Sequence, residues 1–258
     1  MGIIEKFYLK DKVAIVTGGA GLYGKYITEA LAEAEAYVYV CSRNIENCKK
    51  IADKLKKKGY NVFSEKLDLA DEKSIDLLIE KILNKFGRID ILVNNAVLRA
   101  VKDYYDRIEN FRLSMEVNFV GVFEFTRKII EVMKKNKSGS IINISSIHGV
   151  VGPDFTLYPG TNIEPLPDYF FHKAGLINLT RYFASKFGEF GIRVNCISPG
   201  GLYSGQDKKF VERYKKRTFL GRMAKGEDIK GVIVFLASDA SSYITGANIL
   251  VDGGYTAK

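Results

Sequence analysis

The chain has 258 residues, is 47% hydrophobic and 27% charged, and carries a formal charge of +9. That length suits one domain with a sizeable core, and no apolar run approaches the roughly 18 residues a membrane helix needs, so a soluble protein is expected. Cys41, Cys48 and Cys196 form no paired motif and only His148 and His172 supply imidazoles, which argues against disulfides and against a metal site. The lysines are dispersed along segments such as KKIADKLKKKGY rather than gathered with aromatics. Solvated helix faces therefore fit better than a nucleic-acid module, and a basic surface of this kind can steer anionic small molecules.

In chain order, short β-branched runs predict strands at 13–18, 37–42, 61–69, 89–96, 140–146, 192–198 and 248–253. Between them, residues 22–34, 45–58, 71–86, 103–136 and 169–190 carry helical spacing and are long enough for right-handed crossovers. The alternation predicts an α/β fold, a doubly wound seven-stranded parallel sheet flanked by helices, as a single domain over residues 1–258. The opening MGIIEKFYLKDK has neither the apolar core nor the cleavage site of a secretory signal, so a cytoplasmic location and no membrane partner are expected.

Ligands of such folds bind beyond the carboxyl ends of the strands, and the chemistry-bearing residues fall there. TGGAGLYG follows the first run, with glycines that allow backbone N–H groups to approach a pyrophosphate at a helix N-terminus. Ser42 and Arg43 end the second run, Asp68 lies in the third, NNA closes the fourth, NISS the fifth and SPG the sixth. Tyr169 and Lys173 stand four residues apart in DYFFHKAGL, which puts both on one helix face. A cation beside a phenol favours phenolate and draws its pKa from about 10 towards neutrality, so such a tyrosine can give or take a proton at physiological pH.

These pieces in this order, together with Asn118 in EVNFVG and the ending ITGANILVDGG, resemble the short-chain dehydrogenase/reductase family over essentially the whole chain. The resemblance implies a Rossmann-type NAD(P)-dependent oxidoreductase that interconverts a secondary alcohol and a carbonyl. By it, Tyr169 is the general acid/base and Ser146 helps hold the substrate oxygen, with Ser145 as the competing hydroxyl. Lys173 lowers the tyrosine pKa and binds the nicotinamide ribose, and Asn118 supports a water in a proton relay. The same resemblance implies a cofactor-contact set of Thr17, Gly18, Gly21, Leu22, Tyr23, Gly24, Ser42, Arg43, Asp68, Leu69, Asn95, Ala96, Tyr169, Lys173, Pro199, Gly200, Leu202 and Ser204. It also implies a homotetramer or homodimer.

Two departures from the family pattern stand out. The classical TGxxxGxG is replaced by TGxxGxxG, with Leu22 at a glycine position, and Val97 replaces the glycine of NNAG. The first is the pattern of the extended branch and raises a nucleotide-sugar epimerase with tightly held cofactor as an alternative; a non-catalytic cofactor-binding protein is another. At the cofactor-selecting position, Ser42 with Arg43 in place of a carboxylate favours NADP over NAD, because a guanidinium fork suits a 2′-phosphate. A substrate loop over about 147–168, carrying four of the five prolines, faces a lid over about 201–222 whose basic cluster includes Arg213 and Arg217. That pairing predicts an anionic substrate of the phosphorylated-sugar or nucleotide-sugar kind, contacted by Arg213 or Arg217.

Overall fold

The computed structural model describes residues 2–257. Its strands are β1 (Val13–Thr17), β2 (Tyr37–Ser42), β3 (Val62–Lys66), β4 (Ile91–Asn94), β5 (Gly139–Ile144), β6 (Ile192–Pro199) and β7 (Asn248–Val251). Its helices are α1 (Gly24–Glu33), α2 (Ile45–Lys56), α3 (Glu72–Phe86), α4 (Ile108–Met115), α5 (Val122–Asn136), α6 (Pro167–Phe187), α7 (Lys208–Lys215) and α8 (Lys230–Ala237). The seven strands are all parallel in the order β3-β2-β1-β4-β5-β6-β7, so the topology switches between β1 and β4.

Alternation along β1 explains the two cores. Val13 and Ile15 pack towards α3, α5 and α6, while Ala14 and Val16 pack towards α1, α2 and α8. A strand buried on both faces must be apolar at consecutive positions, and all five residues of β1 are buried. Local chemistry sets the helix ends. Asn44 and Asp71 cap α2 and α3 by accepting from backbone N–H groups, and Pro167 opens α6, where its missing donor is harmless. A third cluster, containing Ile147, Leu157, Phe210, Val211, Tyr214, Met223 and Tyr255, packs the substrate loop, the lid and the C-terminal end together.

Three features differ from the sequence expectation. β3 stops at Lys66, so Asp68 and Leu69 lie in the loop beyond it, where the Asp68 carboxylate accepts from Ala70 N at 3.1 Å. The helix expected over 103–136 is broken: α4 begins at Ile108, and a π-helical turn at Glu116–Gly121 separates it from α5. Gly121 closes that turn because a Cβ there would collide with the Leu69 carbonyl. α7 and α8 are two further helices, beyond the five segments read as helical.

Candidate active site

The glycine loop joins β1 to α1 at the switch point. Gly18 adopts φ +60°, and a Cβ on Gly24 would run into the Gly18 carbonyl, so the backbone folds on itself in a way only glycine permits. The loop leads directly into the N-terminus of α1, which fits a pyrophosphate. Leu22 is 56% exposed and takes no positive φ, which explains why this position dispenses with glycine. Val97 likewise has an ordinary φ.

The residues expected to touch cofactor divide into a frame and a rim. The Thr17 hydroxyl is buried; it donates to Val93 O and accepts from Asn95 N and Ala96 N, each at 3.0 Å. Asn95 Nδ2 donates to Gly18 O at 2.9 Å, and Tyr23 Oη donates to Gly200 O at 3.0 Å, tying the glycine loop to β4 and to the SPG segment. Pro199, Gly200 and Leu202 are buried while Ser204 is exposed. At the end of β2 the Ser42 hydroxyl donates to Asn44 O at 2.9 Å. Arg43 is exposed and has no ion-pair partner among the described residues. A glycine cradle, a helix N-terminus and a free cation at the second strand match the chemistry of a dinucleotide phosphate.

Ser146, Tyr169, Lys173 and Asn118 converge beyond β5. The Ser146 hydroxyl lies on the side of the Tyr169 phenol and works to lower its pKa. Ser145, in contrast, turns away and donates to Lys173 O at 2.7 Å, so Ser146 is the serine that faces the phenol. The buried Lys173 ammonium donates to Ile144 O at 2.6 Å and lies 5.5 Å from the centre of the Tyr169 ring. Burial draws its pKa from 10.5 down to about 8.

The tyrosine departs from expectation. Burial raises its pKa above 10, outweighing the lowering by the Ser146 hydrogen bond and by the charge of Arg99. Desolvation of the phenolate therefore wins over the Arg99 charge, and the hydroxyl is held protonated in the protein. The Asn118 side chain is fully engaged, Oδ1 accepting from Leu98 N at 2.6 Å and Nδ2 donating to Leu98 O at 2.7 Å and to Ser114 Oγ at 2.9 Å.

Further residues line the site beside the expected ones. Arg99 places its guanidinium 5.4 Å from the Tyr169 ring centre. His172 packs edge-on to the same ring at 5.3 Å, and His148 at 6.2 Å. Burial lowers both imidazoles, His148 to about 4 and His172 to about 3, so both are neutral at pH 7. Asp168 is buried and accepts from Ser114 Oγ. Asp168 immediately precedes Tyr169, and Ser114 lies one turn before Asn118.

The lid arginines are engaged by the substrate loop. Arg213 Nη1 donates to Leu157 O at 3.0 Å and Pro159 O at 2.6 Å. Arg217 pairs with Asp154 at 2.8 Å and donates to Thr156 Oγ1 at 3.0 Å. The proline-rich loop offers carbonyls and a carboxylate to the facing helix, so these cations clasp loop to lid.

Among the described residues there is no helix long and apolar enough to cross a membrane and no cluster of groups suited to a metal. Residues 23–256 match the family described as Enoyl-(Acyl carrier protein) reductase. The chain is 35% identical to the 3-oxoacyl-[acyl-carrier-protein] reductase FabG of Thermotoga maritima, over 95% of this chain and 98% of that one. It is 34% identical to the cis-4-hydroxycyclohexanecarboxylate dehydrogenase of Sinomonas cyclohexanicum, over 96% and 97%. A gluconate 5-dehydrogenase from Burkholderia cenocepacia, solved in complex with NADP and tartrate, superposes with a TM-score of 0.90 at 26% identity over 100% of both chains. With matches of this extent along a sheet and loops of this order, the chain belongs to the short-chain dehydrogenase/reductase family and is an NAD(P)-dependent oxidoreductase.

Proposed function

We propose that this protein reduces a small carbonyl compound to a secondary alcohol, reversibly, with NADP as its preferred cofactor. The observation that carries the reading is the buried Lys173 ammonium, which donates to Ile144 O at the end of β5 at 2.6 Å and lies 5.5 Å from the centre of the Tyr169 ring. The names of its relatives, a 3-oxoacyl-[acyl-carrier-protein] reductase, a cis-4-hydroxycyclohexanecarboxylate dehydrogenase and a gluconate 5-dehydrogenase bound to NADP, support alcohol–carbonyl chemistry.

When bound, the nicotinamide supplies or accepts the hydride. The protein's own groups do the rest. Ser146 and Tyr169 donate to the substrate oxygen and stabilise the negative charge that develops on it, a preorganised electrostatic contribution. Tyr169, protonated because its surroundings disfavour phenolate, delivers its proton to that oxygen. Lys173 holds a positive charge behind the phenol, and Asn118 fixes the loop after β4 through Leu98. Gly18, Gly24 and the start of α1 would receive the pyrophosphate, and Arg43 the 2′-phosphate. Leu250, exposed on the edge strand β7, supports burial of that edge in a homodimer or homotetramer.

The test is deuterium transfer. Incubation with NADPH deuterated at C4 of the nicotinamide and a panel of acyclic and cyclic ketones should yield alcohols labelled at the carbinol carbon, read by mass spectrometry. Tight NADPH binding with no label in any product would overturn the reading.

A further inference from the structure

We infer that Arg99 is the substrate-anion anchor of this site, receiving a carboxylate or phosphate carried a few bonds from the reacting carbon. The inference rests on the alcohol–carbonyl reading above and names the class of substrate that such a site takes. Three observations carry it.

The first is position. The guanidinium lies over the ring of Tyr169, 5.4 Å from its centre, so an anion bound there stands beside the oxygen that the phenol holds. The second is fixation. Arg99 directly follows Leu98, whose N–H and C=O are both gripped by the buried Asn118 amide at 2.6 and 2.7 Å. An exposed arginine usually starts from a loose loop; this one starts from a clamped backbone. The third is the missing partner. Arg88, Arg127, Arg217 and Arg222 each pair with an Asp or Glu, whereas the Arg99 side chain, like those of Arg43, Arg107 and Arg181, has neither an ion pair nor a hydrogen bond among the described residues, and of these four it is the one that stands over Tyr169.

The surroundings leave that charge uncompensated. His148 and His172 are held neutral, Lys173 adds a second cation, and the Asp168 carboxylate is buried in a hydrogen bond from Ser114. The lid arginines, which the charge pattern favoured for this role, are occupied by the substrate loop. A planar guanidinium matches the oxygens of a carboxylate or phosphate in a two-point contact, stronger than a neutral hydrogen bond. Stacking on Tyr169 could by itself account for the contact, and an experiment separates the two uses.

Malonate and inorganic phosphate serve as probes, each titrated calorimetrically into wild type, Arg99→Gln, Arg99→Lys and Arg217→Gln, with and without saturating NADP. NADP affinity, measured alongside, reports separately on the cofactor reading, and the titrations without NADP decide Arg99 even if that reading fails. Binding of at least one probe to wild type is expected, with the tighter probe naming the anion. Arg99→Gln should weaken it about tenfold or more, Arg99→Lys less, and Arg217→Gln little, with NADP affinity unchanged in all three. Equal binding to wild type and Arg99→Gln would overturn the inference, as would binding of neither probe to wild type.

Discussion

The Ser114 hydroxyl donates to the Asp168 carboxylate at 2.5 Å, a buried bond that joins α4 to the first turn of α6. Ser114 Oγ also accepts from Asn118 Nδ2 at 2.9 Å, so a single hydroxyl connects the residue before Tyr169 to the amide that clamps the loop carrying Arg99. The other Asp168 oxygen has no partner among the described residues. Ser114→Ala would leave the carboxylate with no side-chain donor. A loss of about 1–3 kcal/mol in stability is expected, as for a buried polar group stripped of its partner, together with a lower kcat at unchanged NADP affinity. Denaturant melts and a rate assay check it; unaltered stability and kcat would show that the bond is incidental.

Lys173 is expected to trade stability for function. Its pKa of about 8 against an ordinary 10.5 means that burial disfavours the ammonium by roughly 3 kcal/mol, at about 1.4 kcal/mol per unit. Lys173→Met removes that penalty and forfeits the hydrogen bond to Ile144 O, worth about 1–2 kcal/mol. At pH 7 the variant should be more stable by about 1 kcal/mol and nearly inactive. The sign with pH follows from linkage. The folded-state pKa lies below the unfolded one, so the unfolded chain holds the extra proton between about 8 and 10.5, and wild-type stability gains a rising contribution across that window. Urea melts at pH 7 and 9.5 should show that contribution in wild type and lose it in Lys173→Met; an identical pH dependence in both would contradict it.

Cofactor choice turns on Ser42 and Arg43. Ser42→Asp places a carboxylate at the end of β2, where it would repel a 2′-phosphate and accept from ribose hydroxyls. The ratio of kcat/KM for NADPH over NADH should fall by about tenfold or more. A wild type that already prefers NADH strongly would show that Arg43 does not select the phosphate.

The parts of this protein legible in its sequence are those that local rules determine. The five buried residues of β1, the glycines of the first loop and the spacing of Tyr169 and Lys173 each act within a few positions of themselves. What escaped notice is long-range or competitive. Ser114 and Asp168 meet across a separation of 54 residues, and Arg99 stands over Tyr169 from a loop that Asn118 grips at Leu98. The density of charge on the lid was visible, but not that Asp154 and the carbonyls of Leu157 and Pro159 would claim it. The pKa of Tyr169 was misjudged because a neighbouring lysine can be read from spacing, whereas desolvation depends on everything packed around the ring.

The most direct measurement on the role of Tyr169 is the turnover of Tyr169→Phe beside its NADPH affinity. The ring still packs against His148 and His172 while the proton-bearing hydroxyl is gone. Stopped-flow rates should fall by about 10²–10⁴-fold, with NADPH affinity from fluorescence titration and melting temperature close to wild type. A rate near that of wild type would contradict the assignment of the proton to Tyr169.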